Sequence, residues 1–114
     1  MRVTSDFFVS ALIRRVFSSG GFAAIERRGA AEAGAIFIRK RSRDGRETLY
    51  GPAPQAFFEE GEAGDRQFEI RVSDAEGSAV DAIVAREAKF DSDLWLVELE
   101  QDELGDLLVV AAGQ

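Results

Sequence analysis

Four arginines and a tyrosine flank one predicted turn, and their side chains have the chemistry to bind anions. They are Arg39, Arg41, Arg43, Arg46 and Tyr50. Guanidinium groups donate paired hydrogen bonds to carboxylates and phosphates, and a tyrosine ring can stack on a base or hold an arginine by a cation–π contact. The spacing therefore predicts a binding surface for an anionic partner, provided that one face of a hairpin carries all five side chains.

The Asp44-Gly45 dipeptide predicts that hairpin, because Asp-Gly is a strong signal for a two-residue turn between strands. A turn of two residues sets a register that pairs Arg43 with Arg46, Arg41 with Thr48 and Arg39 with Tyr50. In this register the five side chains share one face with Phe37, whereas the other face carries Ile36, Ile38 and Leu49. We name residues 39–50 the arginine hairpin.

The charges of the chain leave three kinds of anion open as the partner of this hairpin. Residues 1–46 carry ten Lys and Arg against four Asp and Glu, whereas residues 47–114 carry four against 17. The chain's own acidic half is one candidate, and it would make the hairpin structural. An acidic protein is the second, and the phosphates of a nucleic acid or a small ligand are the third, although a pI of 4.6 is low for a dedicated nucleic-acid-binding protein. We predict a small interaction module that meets an acidic protein, with weak nucleic-acid or phosphate binding by the same hairpin as the alternative.

Arg14 and Arg15 form a second candidate binding site, on a helix predicted over residues 5–19. Apolar residues occupy most of the circumference of that helix: Phe8, Leu12 and Val16 at spacing four, with Val9, Ile13 and Phe17 beside them. A helix with so narrow a polar strip is usually covered on more than one side. The pattern predicts a homodimer through this helix, or a covering by the apolar run at residues 107–112, with Arg14 and Arg15 as its exposed edge.

The absence of His and Cys excludes most catalytic and metal-binding chemistry. Without them the chain has no Ser-His-Asp or Cys-His nucleophile system, no thiolate zinc site and no iron–sulfur cluster. It also lacks a glycine-rich phosphate-binding motif, and the acidic run at residues 59–65 lacks the ligand spacing of a calcium loop. An enzyme that works with two carboxylates is the remaining catalytic alternative. We expect no enzymatic activity, no cofactor and no metal.

The N-terminus and the hydropathy pattern favour a cytoplasmic protein. Residues 1–6 lack the basic region and apolar core of a secretory signal, and no apolar run approaches the ~20 residues of a membrane span. We therefore expect no membrane contact.

The elements that must position these residues indicate an α+β fold. The apolar period changes from four to two at Gly20-Gly21 and back at Ser78. It predicts helices near residues 5–19 and 78–91, the second with Ser78 and Asp81 as a capping box, and strands near residues 22–28, 35–42, 46–51, 66–72 and 94–100. The order α-β-β-β-β-α-β predicts a mainly antiparallel sheet of four to five strands, covered by two helices, in a single domain over residues 1–114. Trp95 is predicted to lie in the core, and periodicity leaves residues 103–114 open between strand and helix.

Three stretches carry a resemblance to a known family. They are residues 1–8 running on to Arg14-Arg15, Leu49-Tyr50-Gly51-Pro52, and residues 86–91 with Asp93-Leu94-Trp95. Together they resemble the small bacterial family DUF1491, nearly from end to end. The resemblance implies a bacterial cytosolic setting, and since that family is one of unknown function, it implies no catalytic residues.

Overall fold

The computed structural model describes residues 3–54 and 66–111, so residues 1–2, residues 55–65 with their acidic run, and residues 112–114 lie outside the described part. The described residues form two helices and six strands. The helices and the first five strands agree with the predicted elements to within a few residues, and the sixth strand was not predicted. Their bounds are α1 Ser5–Ser18, β1 Phe22–Arg27, β2 Ile36–Arg41, β3 Glu47–Pro52, β4 Gln67–Ala75, α2 Gly77–Phe90, β5 Trp95–Glu100 and β6 Val109–Val110. No helix in these residues is long and apolar enough to cross a membrane.

The sheet is mixed and has six strands, in the order β1-β5-β2-β3-β4-β6. Strands β2 and β5 pair in parallel, as do β4 and β6, and the other three pairings are antiparallel. The prediction of a mainly antiparallel sheet of four to five strands was therefore wrong in strand number and partly in direction. The extra strand is β6, which pairs in parallel with β4. The other parallel pairing arises because β5 is inserted between β1 and β2 after the α2 crossover. Of residues 103–114, which the pattern left open between strand and helix, the described residues 103–111 contain the two-residue strand β6 and no helix.

Helix α1 covers one face of this sheet, where the larger core lies. Its buried residues Val9, Leu12 and Val16 pack on Ile36, Ile38, Tyr50, Phe68, Trp95, Val97 and Leu99. The core position predicted for Trp95 is confirmed, and its indole N–H donates to the Ala30 carbonyl at 2.8 Å. Leu107 and Leu108 are buried in the same cluster. The segment at residues 104–110, which we name the C-terminal segment, thus supplies part of the covering that the apolar α1 requires.

Helix α2 covers part of the opposite face through a smaller apolar cluster. Val80 and Val84 pack there on Phe37, Leu49, Leu94 and Leu96. The helix begins at Gly77 with Glu76 as N-cap, so the capping box predicted at Ser78 was wrong. Its acidic member, Asp81, instead accepts a hydrogen bond from Arg39 at 2.7 Å.

The arginine hairpin turns through three residues, not two, which shifts its register by one. Gly45 N–H donates to the Ser42 carbonyl and Ser42 N–H to the Arg46 carbonyl, both at 2.9 Å. Gly45 has a φ of +86°, the left-handed conformation that a glycine bulge after a turn requires. The observed partners are Arg41 with Glu47, Arg39 with Leu49 and Ile38 with Tyr50. Tyr50 therefore lies on the α1 face, and Leu49 lies on the face of the first two arginines, both opposite to the prediction.

Candidate functional site

Arg39 is the centre of a charged network on the α2 face, and its guanidinium is buried with all five N–H donors used. Nε and Nη2 donate to Glu47 Oε1 at 2.9 and 2.6 Å, and Nη2 also donates to the Gly77 carbonyl at 3.2 Å. Nη1 donates to Asp81 at 2.7 Å and to Glu26 at 3.2 Å. The side chain is only 7% exposed. It therefore joins β2 to β1, β3 and α2, and has no donor left for a partner protein.

The network keeps the charge of Arg39 in place. Burial by itself would lower the pKa of Arg39, but the hydrogen bonds to Glu47 and Asp81 and the charge of Glu26 raise it above its usual value. The acceptor Glu47 is also buried, since its side chain is 3% exposed. A buried ion pair with its hydrogen bonds complete is stable only while both partners are present.

Arg41 extends the network along the same face. It contacts Glu47 Oε2 at 3.0 Å, Glu98 at 2.9 Å and Glu100 at 3.5 Å. The hydrogen bond to Glu47 is the main reason that the pKa of Arg41 is raised. Glu47 thus gives one oxygen to each arginine, so its carboxylate is shared between them.

The network contains more carboxylates than arginines, and the pKa of one carboxylate, Glu98, is shifted by its surroundings. Burial and a hydrogen bond with Glu26 raise the pKa of Glu98, and Arg41 opposes that shift. Glu26 lies on β1 and Glu98 on the neighbouring β5, on one face of the sheet. Among residues 3–54 and 66–111, no three acidic side chains are grouped to hold a metal ion.

The tip of the arginine hairpin differs from this network because its arginines are exposed to solvent, Arg43 almost fully and Arg46 in part. The Arg43 side chain is 91% exposed, and its Nη2 lies 3.4 Å from Asp102 Oδ2. Arg46 contacts Asp74 through Nε at 3.1 Å and through a further hydrogen bond to the Asp74 carbonyl. Exposed pairs of this kind contribute little, about 0–1 kcal/mol. Both arginines can therefore exchange their present acceptors for others.

An open groove of about 400 Å³ lies beside the hairpin tip. It is lined by Arg41, Ser42, Arg43, Gly45, Glu100 and Asp102. Asp102 also accepts a hydrogen bond from the Arg43 backbone N–H at 2.8 Å, so it fixes the tip to the chain that follows β5. We name this feature the tip groove.

The remaining predicted site residues are separated from the arginines of the hairpin. Tyr50 is buried in the α1 core, and burial raises the pKa of its phenol. It cannot stack on an incoming base or on Arg39. Arg15 donates to the Asp106 carbonyl at 2.8 Å and so holds the C-terminal segment against α1. Arg14, by contrast, is exposed, and its side chain makes no hydrogen bond or ion pair with a residue that the structure describes.

The acidic partners inside the fold are the functional residues that sequence reasoning missed. Glu26, Glu47, Asp81 and Glu98 were not assigned to a site, although Arg39 or Arg41 contacts each of them. The available signal was the division of the chain into a basic first part and an acidic second part. Most of these pairs join the two parts, so the asymmetry reports internal pairing for Arg39 and Arg41.

The sequence matches, over residues 3–109, the family described as "Protein of unknown function (DUF1491)". The chain is similar to a solution structure of protein Atu0922 from A. tumefaciens, with 55% identity, a TM-score of 0.87, and coverage of 100% of this chain and 98% of that chain. It is also similar to the crystal structure of a DUF1491 family protein from Caulobacter crescentus CB15, with 30% identity, a TM-score of 0.79, and coverage of 98% and 100%. No curated protein matches the chain.

Proposed function

Since the chain belongs to the DUF1491 family, whose function is unknown, we propose that it is a small cytosolic interaction module without enzymatic activity, and that the tip of its arginine hairpin meets an acidic partner protein. The contact is assigned to Arg43 and Arg46. Arg39 is excluded from it by burial, and Arg41 takes part only where it lines the tip groove.

The observation that carries this proposal is the exposure of Arg43 on a rigid support. Its side chain is 91% exposed, whereas Arg39, four residues earlier on the same hairpin, is 7% exposed with its donors complete. The buried network holds the strands of the hairpin, and Asp102 holds its turn. A preorganised loop loses less conformational entropy on binding than a flexible one. The hairpin thus presents an exposed guanidinium on a turn whose backbone is held in place.

The charge of the tip groove favours a protein over a nucleic acid as the partner. Glu100 and Asp102 line the groove beside Arg41 and Arg43, so positive and negative groups alternate there. A nucleic-acid backbone carries a dense and uniform negative charge, which the two carboxylates and the net charge of −7 repel. A protein surface can place a carboxylate opposite each arginine and avoid the acidic wall.

The carboxylate network supports a structural rather than a catalytic role. Glu98 has a raised pKa, which is a property of many catalytic acids. Burial and the neighbouring Glu26 explain that shift, since buried ion-pair networks perturb pKa values as well. Turnover of any substrate by the purified protein that disappears in a Glu26→Gln/Glu98→Gln variant would overturn this part of the proposal.

Affinity capture from the native cell with two charge-reversal variants tests the hairpin contact. Arg43→Glu/Arg46→Glu removes both exposed cations of the tip. Arg86→Glu/Lys89→Glu is the matched control, because these two residues are exposed on α2, have no ion pair in the described residues, and change the net charge equally. Circular dichroism checks that both variants fold.

We expect one acidic protein to be captured by the wild type and by the control, and to be lost with the hairpin variant. Binding of that purified protein should weaken about tenfold or more in the hairpin variant. If the wild type, the hairpin variant and the control variant all captured the same proteins, the proposal would be overturned. Loss of nucleic acid instead, with a steep dependence on salt concentration, would favour phosphate binding by the same tip.

A further inference from the structure

Helix α1 leaves one strip of its surface uncovered, and the strip has the spacing of a helix-pairing seam. Its members are Phe7, Ser10, Arg14 and Phe17, all exposed, with Phe7 at 55% and Phe17 at 52%. They follow one another at intervals of three, four and three residues, which is the a and d spacing of a heptad. The sheet-facing residues Val9, Leu12 and Val16 lie on the opposite side of the helix. The strip is therefore a seam without a partner helix in the described residues.

We propose that this strip is the interface of a homodimer, in which two copies of α1 pack antiparallel around a two-fold axis. The strip is self-complementary in that arrangement, because residues whose numbers sum to 24 then face each other. Phe7 meets Phe17 of the partner subunit, and Ser10 meets Arg14 of the partner subunit. Each contact occurs twice, as a two-fold interface requires. Aromatic pairs thus close both ends of the seam, and the small Ser10 leaves room at its middle for Arg14 of the partner subunit.

The charges of the helix fit the same arrangement. Arg14 has no partner among the described residues, and Asp6 has only an exposed contact with Arg28 at 3.7 Å. In the antiparallel pair Arg14 lies one helical turn from Asp6 of the partner subunit, which is within reach of an arginine side chain. Two such ion pairs would form, one at each side of the axis. A parallel pair would instead place the two Arg14 side chains together.

The surroundings of the strip leave room for a second helix. Phe22, at the start of the edge strand β1, packs edge-on against Phe17 with ring centroids 5.8 Å apart, so Phe17 is held in place. On the other side an open groove of about 640 Å³ lies at the surface, lined by residues of α1 and by Asp106 and Leu107 of the C-terminal segment. Ala11, Arg14 and Ser18 line that groove. The C-terminal segment therefore stops short of the strip, and this interface uses no residue of the arginine hairpin.

Sedimentation equilibrium of the purified chain tests the dimer. The whole of α1 has 14 residues and is about 21 Å long, and the seam from Phe7 to Phe17 is shorter, so the contact is small and we expect a dissociation constant in the range of about 10–100 µM. Phe17→Ser should weaken the dimer about tenfold or more, since the change removes an aromatic contact at both ends of the seam. Phe90→Ser is the matched control, because Phe90 is 86% exposed and lies on α2. A wild-type monomer up to about 1 mM, or a dimer that Phe17→Ser leaves unchanged, would overturn the proposal.

Two further variants test the antiparallel direction. Arg14→Asp should weaken the dimer, and Asp6→Arg/Arg14→Asp should restore it. Because the chain has no cysteine, a mixture of Ser10→Cys and Arg14→Cys proteins can be oxidised without background. The mixed disulfide between the two variants should exceed both like-with-like disulfides. A predominance of like-with-like disulfides, or a charge swap that restores nothing, would contradict the antiparallel seam.

Discussion

The two faces of the sheet are built from alternate residues of the same strands, yet they are stabilised in different ways. On the α1 face, side chains such as Ile36, Ile38 and Trp95 form a continuous apolar core. On the α2 face, the apolar cluster around Phe37 gives way to the network of Arg39. Strand β2 supplies both, since Ile36 and Ile38 point to one face and Phe37, Arg39 and Arg41 to the other.

This difference shows that the arginines of the hairpin have two roles, since some are paired inside the fold and others are exposed at the tip. Burial of apolar surface stabilises the α1 face. A substitution there should lower the stability in proportion to the buried apolar area that it deletes. The charged part of the α2 face depends instead on complete pairing, because removal of one partner leaves a buried charge without compensation. Arg39 is thereby committed to the fold and Arg41 largely so, and within the hairpin Arg43 and Arg46 are the arginines most available to a partner.

Removal of the buried cation should have the largest effect on stability. Arg39→Met leaves Glu47 buried without its main partner, so we expect the free energy of unfolding to fall by about 3–5 kcal/mol. Urea denaturation measures the change. Arg86→Met is the control, because Arg86 is exposed and has no ion pair in the described residues, and it should change the value by less than about 0.5 kcal/mol. A loss below about 1 kcal/mol for Arg39→Met would show that the network is not essential to the α2 face.

A core deletion on the α1 face should come next in size. Leu12 is fully buried between α1 and the sheet, so Leu12→Ala should lower the free energy of unfolding by about 3 kcal/mol. This loss reflects apolar burial and a cavity. It should therefore stay the same when the salt concentration of the urea titration is raised. A salt dependence of the Leu12→Ala effect would break the contrast between the two faces.

Neutralising Glu98 should have a small effect with a defined pH dependence. The folded-state pKa of Glu98 is raised, so its protonated form stabilises the fold and that contribution is lost as the pH rises through this pKa. At pH about 7, the free energy of unfolding of Glu98→Gln should equal that of the wild type or exceed it by up to about 1 kcal/mol. The difference should shrink as the pH falls into the carboxyl range, where wild-type Glu98 binds a proton. A Glu98→Gln variant that is clearly less stable at neutral pH would contradict the raised pKa.

Truncation of the exposed tip should have the smallest effect on stability. Arg43→Met loses only a contact of 3.4 Å with Asp102 at a solvent-exposed site, so we expect a change below about 0.5 kcal/mol. Thermal unfolding followed by circular dichroism is sufficient to measure it. A loss comparable to that of Arg39→Met would mean that the tip belongs to the buried network.

The sequence predicted most elements of this fold because its apolar period changes where the elements change. The prediction failed where a shift of one residue in strand register decides on which face of the sheet a side chain lies. The three-residue turn with Gly45 in the left-handed conformation moved Tyr50 and Leu49 to the faces opposite to those predicted. The place of β5 between β1 and β2 was also missed, although apolar residues on both faces are typical of a central strand.

For the candidate site, composition predicted the chemistry but not the geometry. The charge division of the chain indicated that basic and acidic residues could meet, and Arg39 and Arg41 do meet Glu47. Which arginines are buried depends on the strand order, which brings Glu26 and Glu98 beside them and which local patterns do not encode. The exposure of Arg43 likewise follows from its place in the turn.

The pair of Arg39 and Glu47 is the contact on which this division of the hairpin rests, and a double-mutant cycle tests it most directly. The free energies of unfolding of the wild type, Arg39→Met, Glu47→Leu and the double variant are measured under one set of conditions. We expect the double variant to be about 1–3 kcal/mol more stable than the sum of the single losses predicts, because neither charge is then left buried alone. Losses that add to within about 0.5 kcal/mol would contradict the claim that Arg39 is committed to the fold through Glu47.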